Sequence, residues 1–189
     1  IIESQCIYCE KCILVCPQDA KEEQNMIPVI RSAMESGKQV IASLHPAYLA
    51  RFGVTGISKL RQAMKLLGFT DVADAAEGAS LMAAQYRTLL QEQKEQGIMI
   101  SSACPVIIQL VKKHYPHLLG NLMQSASMMQ FHASYLKKKY PDAEIVYISP
   151  CISAMSELRE PGNEVEYVIT LEELAEWMKK EGISVVEDT

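Results

Sequence analysis

The chain has 189 residues, 49% of them hydrophobic and 22% charged, with a formal net charge of −5. That length can bury a core in one domain with room for a small appendage, and the acidic balance gives no electrostatic footprint for nucleic acid or an anionic membrane. No apolar run reaches the ~18 residues of a membrane span: the best, IMISSACPVIIQLV, is interrupted by Ser and Pro. No signal peptide is visible, so the expected location is the cytoplasm. The chain begins at Ile1 rather than Met and is read as a fragment of a longer protein.

The first segment, CIYCEKCILVCPQDAK, places Cys6, Cys9, Cys12 and Cys16 within eleven positions, four of the six cysteines of the chain. Three disulfides would suit a small secreted chain, not one with this much core-forming sequence. Structural zinc sites pair two knuckles across a longer loop. Here the pattern is C-x2-C-x2-C-x3-C-P, the spacing of bacterial ferredoxins, in which a short wound loop wraps an iron–sulfur cube and the last cysteine of a run serves the other cluster of a two-cluster domain. The segment reads as a 4Fe–4S unit over residues 1–25, half of a two-cluster domain. Cys16 either closes the site with Cys6, Cys9 and Cys12 or belongs to a cluster completed upstream.

From residue 26 to 189 the texture changes. Residues 27–37 predict a short helix stopped by Gly37, and QVIASLHP a buried strand. In the next stretch, residues 47–69, the second part is amphipathic, with Ile57, Leu60, Met64 and Leu67 on one face. DVADAA is a weak short strand, and a long helix over 77–97 closes on Gly97. IMISSACP predicts a second buried strand, followed by helices over 106–118 and 125–141. EIVYISPC is a third buried strand, and EVEYVIT alternates like a strand with one wetter face. The last helix starts at a capping box of Thr170 and Glu173. Strands alternating with helices predict an α/β fold, a mainly parallel sheet flanked by helices.

In parallel α/β sheets ligands bind beyond the carboxyl ends of the strands. Three predicted strands end alike, in ASLHP, SSACP and YISPC, so Cys104 and Cys151 are expected at the ends of neighbouring strands, facing one crevice as a second metal site. Singly, each could equally be a small buried hydrophobe. His45, at the end of the first strand, reads as a hydrogen-bonded structural histidine, with a proton carrier or ligand as the alternative. His114, His117 and His132 lie on helical faces or turns and receive no role. Lys137–Lys139 read as a solvated helix end favoured by the helix dipole. No GxGxxG or Walker sequence is present, which argues against a nucleotide or flavin domain.

Taken with ASLHPAYLARF, SSACPVIIQLVKKHYPHLL, SMMQFHASYLKKKYP and SPCISAMSE, the cysteine run resembles the catalytic domain of iron-only (FeFe) hydrogenases preceded by its ferredoxin-like domain, most of all the sensory branch of that family. The resemblance covers nearly the whole chain, and implies that residues 26–189 are the first α/β lobe of that domain. In the hydrogenases a 4Fe–4S cube bridged to a two-iron centre is held by four cysteines. By position Cys104 stands at the first ligand, in a TSCCPGW-like motif, and Cys151 at the second, in an MPCxxKxxE-like motif; the other two come from a later motif absent here.

The departures bear on activity. Ala103 replaces the cysteine that relays protons, and alanine carries none. Ala154 replaces the lysine that hydrogen-bonds a cyanide ligand, and offers no donor. Glu157 keeps the family's residue. Met128 and Met129 fall in a segment that lines the cluster pocket in the family, although core packing at helical spacing accounts for them better.

These positions imply an iron–sulfur protein that senses or relays redox state with little or no hydrogen turnover, exchanging electrons or signals with a protein partner. A catalytic hydrogenase and an iron–sulfur assembly scaffold are the alternatives. The implied cofactors are a 4Fe–4S cluster and, in the full-length protein, a second cubane or hydrogenase-type cluster.

Overall fold

The computed structural model describes residues 1–18, 20–21, 24–53, 56–92 and 97–185. In chain order its elements are α1 (Lys11–Leu14), α2 (Ile27–Glu35), β1 (Val40–Leu44), α3 (Tyr48–Phe52), α4 (Gly56–Leu66), β2 (Asp71–Asp74), α5 (Ala76–Glu92) and α6 (Pro105–His114). A 3₁₀ turn (Pro116–Asn121), α7 (Met128–Lys139), β3 (Glu144–Ser149), a second 3₁₀ helix (Ile152–Arg159), β4 (Tyr167–Thr170) and α8 (Leu171–Lys180) follow.

The four strands form one parallel sheet in the order β2-β1-β3-β4. Because both faces of such a sheet carry crossover segments, its central strands read as continuous apolar runs. VIASL of β1 is buried at every position, and so are the last five residues of β3. Side chains alternate between faces. Ala42, Leu44, Val146 and Ile169 pack with Ile30 of α2, Leu60 and Met64 of α4 and Leu174 and Trp177 of α8. On the opposite face Ile41, Ile145, Tyr147 and Val168 meet Met129, Ala133 and Leu136 of α7. The chain leaves β1 toward β2 on one side and β3 toward β4 on the other, so the switch point lies between the ends of β1 and β3, beside His45 and Cys151.

Two expectations change. Residues 98–105 are not a strand of the sheet. Ile100 makes an isolated parallel bridge to Leu122, donating to Asn121 O at 2.8 Å and accepting from Met123 N at 2.9 Å. Both sides of β1 and β3 are already paired, and a run with two serines and an Ile98 that is 81% exposed has no apolar pair of faces to compete with them. The stretch 47–69 holds two helices: α3 ends at Gly53, whose φ of 76° favours glycine, and α4, the amphipathic part, begins at Gly56, with 54–55 outside the described residues. β4 has no wet face within the strand proper. Val168, Ile169 and Thr170 are all buried, because α8 packs on it and the 3₁₀ helix Ile152–Arg159 covers it as well.

Local rules set the helix ends. Pro105 stands in the first turn of α6, where its missing N–H is not needed. α8 starts with the expected box, Thr170 Oγ1 accepting from Glu173 N at 3.1 Å and Glu173 accepting from Thr170 N at 2.7 Å. α7 has a second box, Ser127 with Gln130. It is legible as S-x-x-Q before an apolar run but was not anticipated.

Candidate iron–sulfur sites

The first site is the loop from Cys6 to Cys16. Its spacing forces tight winding, and the backbone shows it: Tyr8 and Glu10, neither of them glycine, adopt left-handed φ values of 58° and 61°. Such conformations cost energy and persist where surrounding structure demands them. The winding aims amides at sulfur, with Tyr8 N donating to Cys6 Sγ and Ala20 N to Cys16 Sγ, each at 3.4 Å. N–H···S bonds of this kind are among the factors that set iron–sulfur potentials.

Cys6, Cys9 and Cys12 line a cavity of about 1020 Å³ together with Ile2, Ile152 and Met155, and Cys16 is not part of its wall. None of the six cysteines is in a disulfide. Among the described residues no three Cys, His, Asp or Glu side chains are gathered as for a single metal ion. A cubane instead takes one thiolate at each separate corner. Three soft donors on one apolar cavity, with an amide aimed at the sulfur of one of them, suit it.

The segment is seated on the α/β lobe by polar contacts. Lys113 Nζ donates to Glu3 O at 3.0 Å and Cys6 O at 2.7 Å, and His114 Nε2 lies 3.0 Å from Gln5 O. Arg159 pairs with Glu3. His114, given no role from sequence, belongs to this seat.

The second pair of cysteines is placed differently from expectation. Cys151 follows β3 as anticipated. Cys104 follows the irregular segment 98–103 and not a sheet strand. Each is an N-cap, Cys104 of α6 and Cys151 of the 3₁₀ helix Ile152–Arg159, and these two helices pack on each other. The carbonyl of Cys104 accepts from Ile107 N at 3.0 Å and Ile108 N at 3.2 Å. Cys151 N donates to Ser149 Oγ at 3.3 Å, and its sulfur lies 2.9 Å from Ser153 Oγ. The nearby cavity of about 310 Å³ is walled by Ser102, Ser127, Ser156 and Glu157 among others, without either cysteine.

His45 N donates to Ile148 O at 3.0 Å, and its Nδ1 accepts from Ala47 N at 2.9 Å. Burial pushes its pKa down, opposed by nearby Asp74. This is a histidine engaged in structure. Ala103 is exposed, whereas Ala154 is 4% exposed within the apolar cluster of Ile145 and Tyr147. Met129 is buried in that cluster and Met128 packs against it, so both methionines serve the core here.

Glu157 is 5% exposed and accepts from Ser127 Oγ at 2.6 Å. Burial raises its pKa and Glu160 adds to the rise, while the Ser127 bond and Lys112 oppose it. His132 is fully buried, its Nδ1 2.6 Å from Ser43 Oγ and its Nε2 without a hydrogen-bond partner. Lys137 is not the solvated residue expected: it donates to Ala143 O at 2.7 Å and Glu166 Oε1 at 2.6 Å.

Residues 38–188 match the family model "Iron only hydrogenase large subunit, C-terminal domain". The chain belongs to that family. Residues 1–22 match a 4Fe-4S binding domain, so this iron-only hydrogenase family member carries an iron–sulfur segment at its N-terminus. It is 28% identical to iron hydrogenase 1 of Clostridium pasteurianum over 86% of this chain and 33% of that protein. It is 26% identical to the NADP-reducing hydrogenase subunit HndD of Solidesulfovibrio fructosivorans, over 97% of this chain and 37% of that subunit. The chain thus spans about a third of the length of these relatives.

The fold is shared with an [FeFe]-hydrogenase structure determined in connection with oxygen inactivation through the 2Fe subcluster of its H cluster, at TM-score 0.74 and 24% identity. That match covers 88% of this chain and 50% of the other. Among the described residues no helix is long and apolar enough to cross a membrane.

Proposed function

We propose that this iron–sulfur protein of the hydrogenase family senses or relays redox state, with little or no turnover of hydrogen, in keeping with the sensory branch its sequence resembles. The observation that carries the reading is Ala154. Its position, a lysine in the catalytic motif, is occupied by a buried methyl group inside an apolar cluster. A side chain that only packs supplies no donor to orient a ligand, and charge-assisted hydrogen bonds are the strong ones. Ala103, where the family's proton carrier stands, removes a second function, since positioned proton transfer is typically worth ~10²–10⁴ in rate.

In this reading residues 1–25 form the ferredoxin-like unit and 26–189 the first hydrogenase lobe. Cys6, Cys9 and Cys12 hold a 4Fe–4S cluster, which supplies one-electron transfer when bound. Cys16 serves a neighbouring cluster, a reading supported by its place outside the cavity wall. Cys104 and Cys151 contribute two thiolates to a second cluster completed elsewhere in the full-length protein. The chain's own groups set apolar surface beside the first three thiols through Ile2, Ile152 and Met155, and aim the Tyr8 amide at Cys6. The partner is an electron-transfer or signalling protein of the cytoplasm.

The test is a hydrogen-evolution assay with a strong artificial electron donor, on full-length protein co-expressed with hydrogenase maturation factors, beside an electron paramagnetic resonance titration of its clusters. Reversible cluster reduction without hydrogen evolution is the expected result. Robust turnover would return the protein to the catalytic hydrogenases.

A further inference from the structure

Glu10 occupies the turn between Cys9 and Cys12 with φ 61° and ψ −10°, a left-handed conformation that glycine adopts without the penalty a Cβ brings. It is the N-cap of α1, yet its side chain makes no capping hydrogen bond there. Instead its Oε1 accepts from Ile152 N at 2.7 Å, 142 positions away. Ile152 is the first residue of the 3₁₀ helix Ile152–Arg159, and Cys151, the N-cap of that helix, makes no side-chain capping bond of its own. A first-turn N–H is one of the groups a helix cannot satisfy internally. Here a carboxylate from the cysteine loop satisfies it.

We propose that Glu10 is a positioning residue: it caps the Ile152–Arg159 helix from within the iron–sulfur loop and so holds the Cys151 turn in register with Cys6, Cys9 and Cys12. The proposal rests on the reading of these thiols as cluster ligands. A glycine at position 10 would relieve the left-handed turn and could not reach Ile152, so the unfavourable backbone is kept for what the side chain does. The other seats of the segment differ in kind. Lys113 and His114 hold main-chain carbonyls at Glu3, Gln5 and Cys6, and Arg159 pairs with the exposed Glu3. These contacts all precede the Cys9–Cys12 turn. The Glu10 contact leaves from inside that turn and ends one residue beyond Cys151. A change that unwinds the loop therefore withdraws the cap, and the order of the Cys151 turn follows the state of the first cluster.

The experiment is hydrogen–deuterium exchange, read on the peptide containing Ile152, in anaerobically reconstituted full-length protein, comparing wild type with Glu10→Gly and Glu10→Gln. Glu10→Gly should keep the broad iron–sulfur absorbance while exchange at Ile152 quickens roughly tenfold, the size of a lost helix cap. Glu10→Gln, which retains an amide oxygen as acceptor, should restore most of the protection. Chelating the iron from wild type should quicken exchange at the same peptide by a similar factor. Unchanged exchange in Glu10→Gly, or no rescue by Glu10→Gln, overturns the proposal. So does loss of the absorbance in Glu10→Gly, which would assign the side chain to the loop itself. A wild-type protein that takes up no iron and sulfide refutes the cluster reading instead, while the comparison of variants still decides the cap.

Discussion

Ser127 and Glu157, thirty positions apart, are joined by a hydrogen bond of 2.6 Å in which the serine hydroxyl donates to Glu157 Oε2. The same Ser127 Oγ accepts from Gln130 N at 3.2 Å. One hydroxyl therefore both starts α7 and satisfies the buried carboxyl of the helix Ile152–Arg159. Ser127→Ala removes both, and should destabilise the fold by about 1–3 kcal/mol, measured by urea denaturation.

Glu157 also predicts a pH dependence. Its folded pKa is raised, chiefly by burial, so the folded state binds more protons than the unfolded one as pH climbs from the ordinary carboxylate range to the raised value. Stability from this group is present below the ordinary value and is lost as pH rises through the folded one. Glu157→Gln, which carries no charge, should gain stability relative to wild type at pH 7–8 compared with ~pH 4. An equal difference at both pH values would show that the carboxyl is not penalised by burial.

His132 gives the opposite window. Burial depresses its pKa below the usual 6.5, with Glu77 and Asp74 opposing, and its Nδ1 lies against Ser43 Oγ. The stability it contributes is intact above the unfolded value and is lost as pH falls through the folded one. Denaturation midpoints of wild type should drop more steeply below about pH 6.5 than those of His132→Gln. Parallel profiles would remove His132 from the account.

α5 can lie close to α7 because residue 78 has no side chain. A Cβ at Gly78 would stand 2.5 Å from Met128 O and 2.7 Å from His132 Cβ. Gly78→Ala gains roughly 1 kcal/mol of helix propensity but must push backbone apart. Overpacking of this sort costs about 1–3 kcal/mol or more, so the net effect should be destabilising. A rise in melting temperature would mean that α5 shifts freely.

The cysteine loop predicts unequal mutants. Cys9→Ala should abolish the broad brown absorbance of anaerobically reconstituted protein, because thiolate-to-iron charge transfer needs that corner. Cys16→Ala, outside the cavity wall, should leave the absorbance of this cluster in place. Stoichiometric zinc without iron in the wild type would overturn the iron–sulfur assignment of Cys6, Cys9 and Cys12.

What could be read from the chain alone was what local chemistry encodes. The spacing of Cys6, Cys9, Cys12 and Cys16, the apolar runs of β1 and β3, and the Thr170–Glu173 box all act within a few residues or through unbroken apolarity. Each was legible before any fold was known. Residues 98–104 were misread because an apolar run does not say which strand edges are open, and both sides of β1 and β3 were already taken. For the same reason Cys104 and Cys151 were expected at adjacent strand ends, whereas Cys104 caps α6 and Cys151 the 3₁₀ helix that packs on it. The pairing of Ser127 with Glu157, the partnerless Nε2 of His132 and the reach of Glu10 to Ile152 have no local signature. Each depends on contacts between elements 30 or more positions apart, and only burial and packing of the whole sheet decide which groups those contacts bring together.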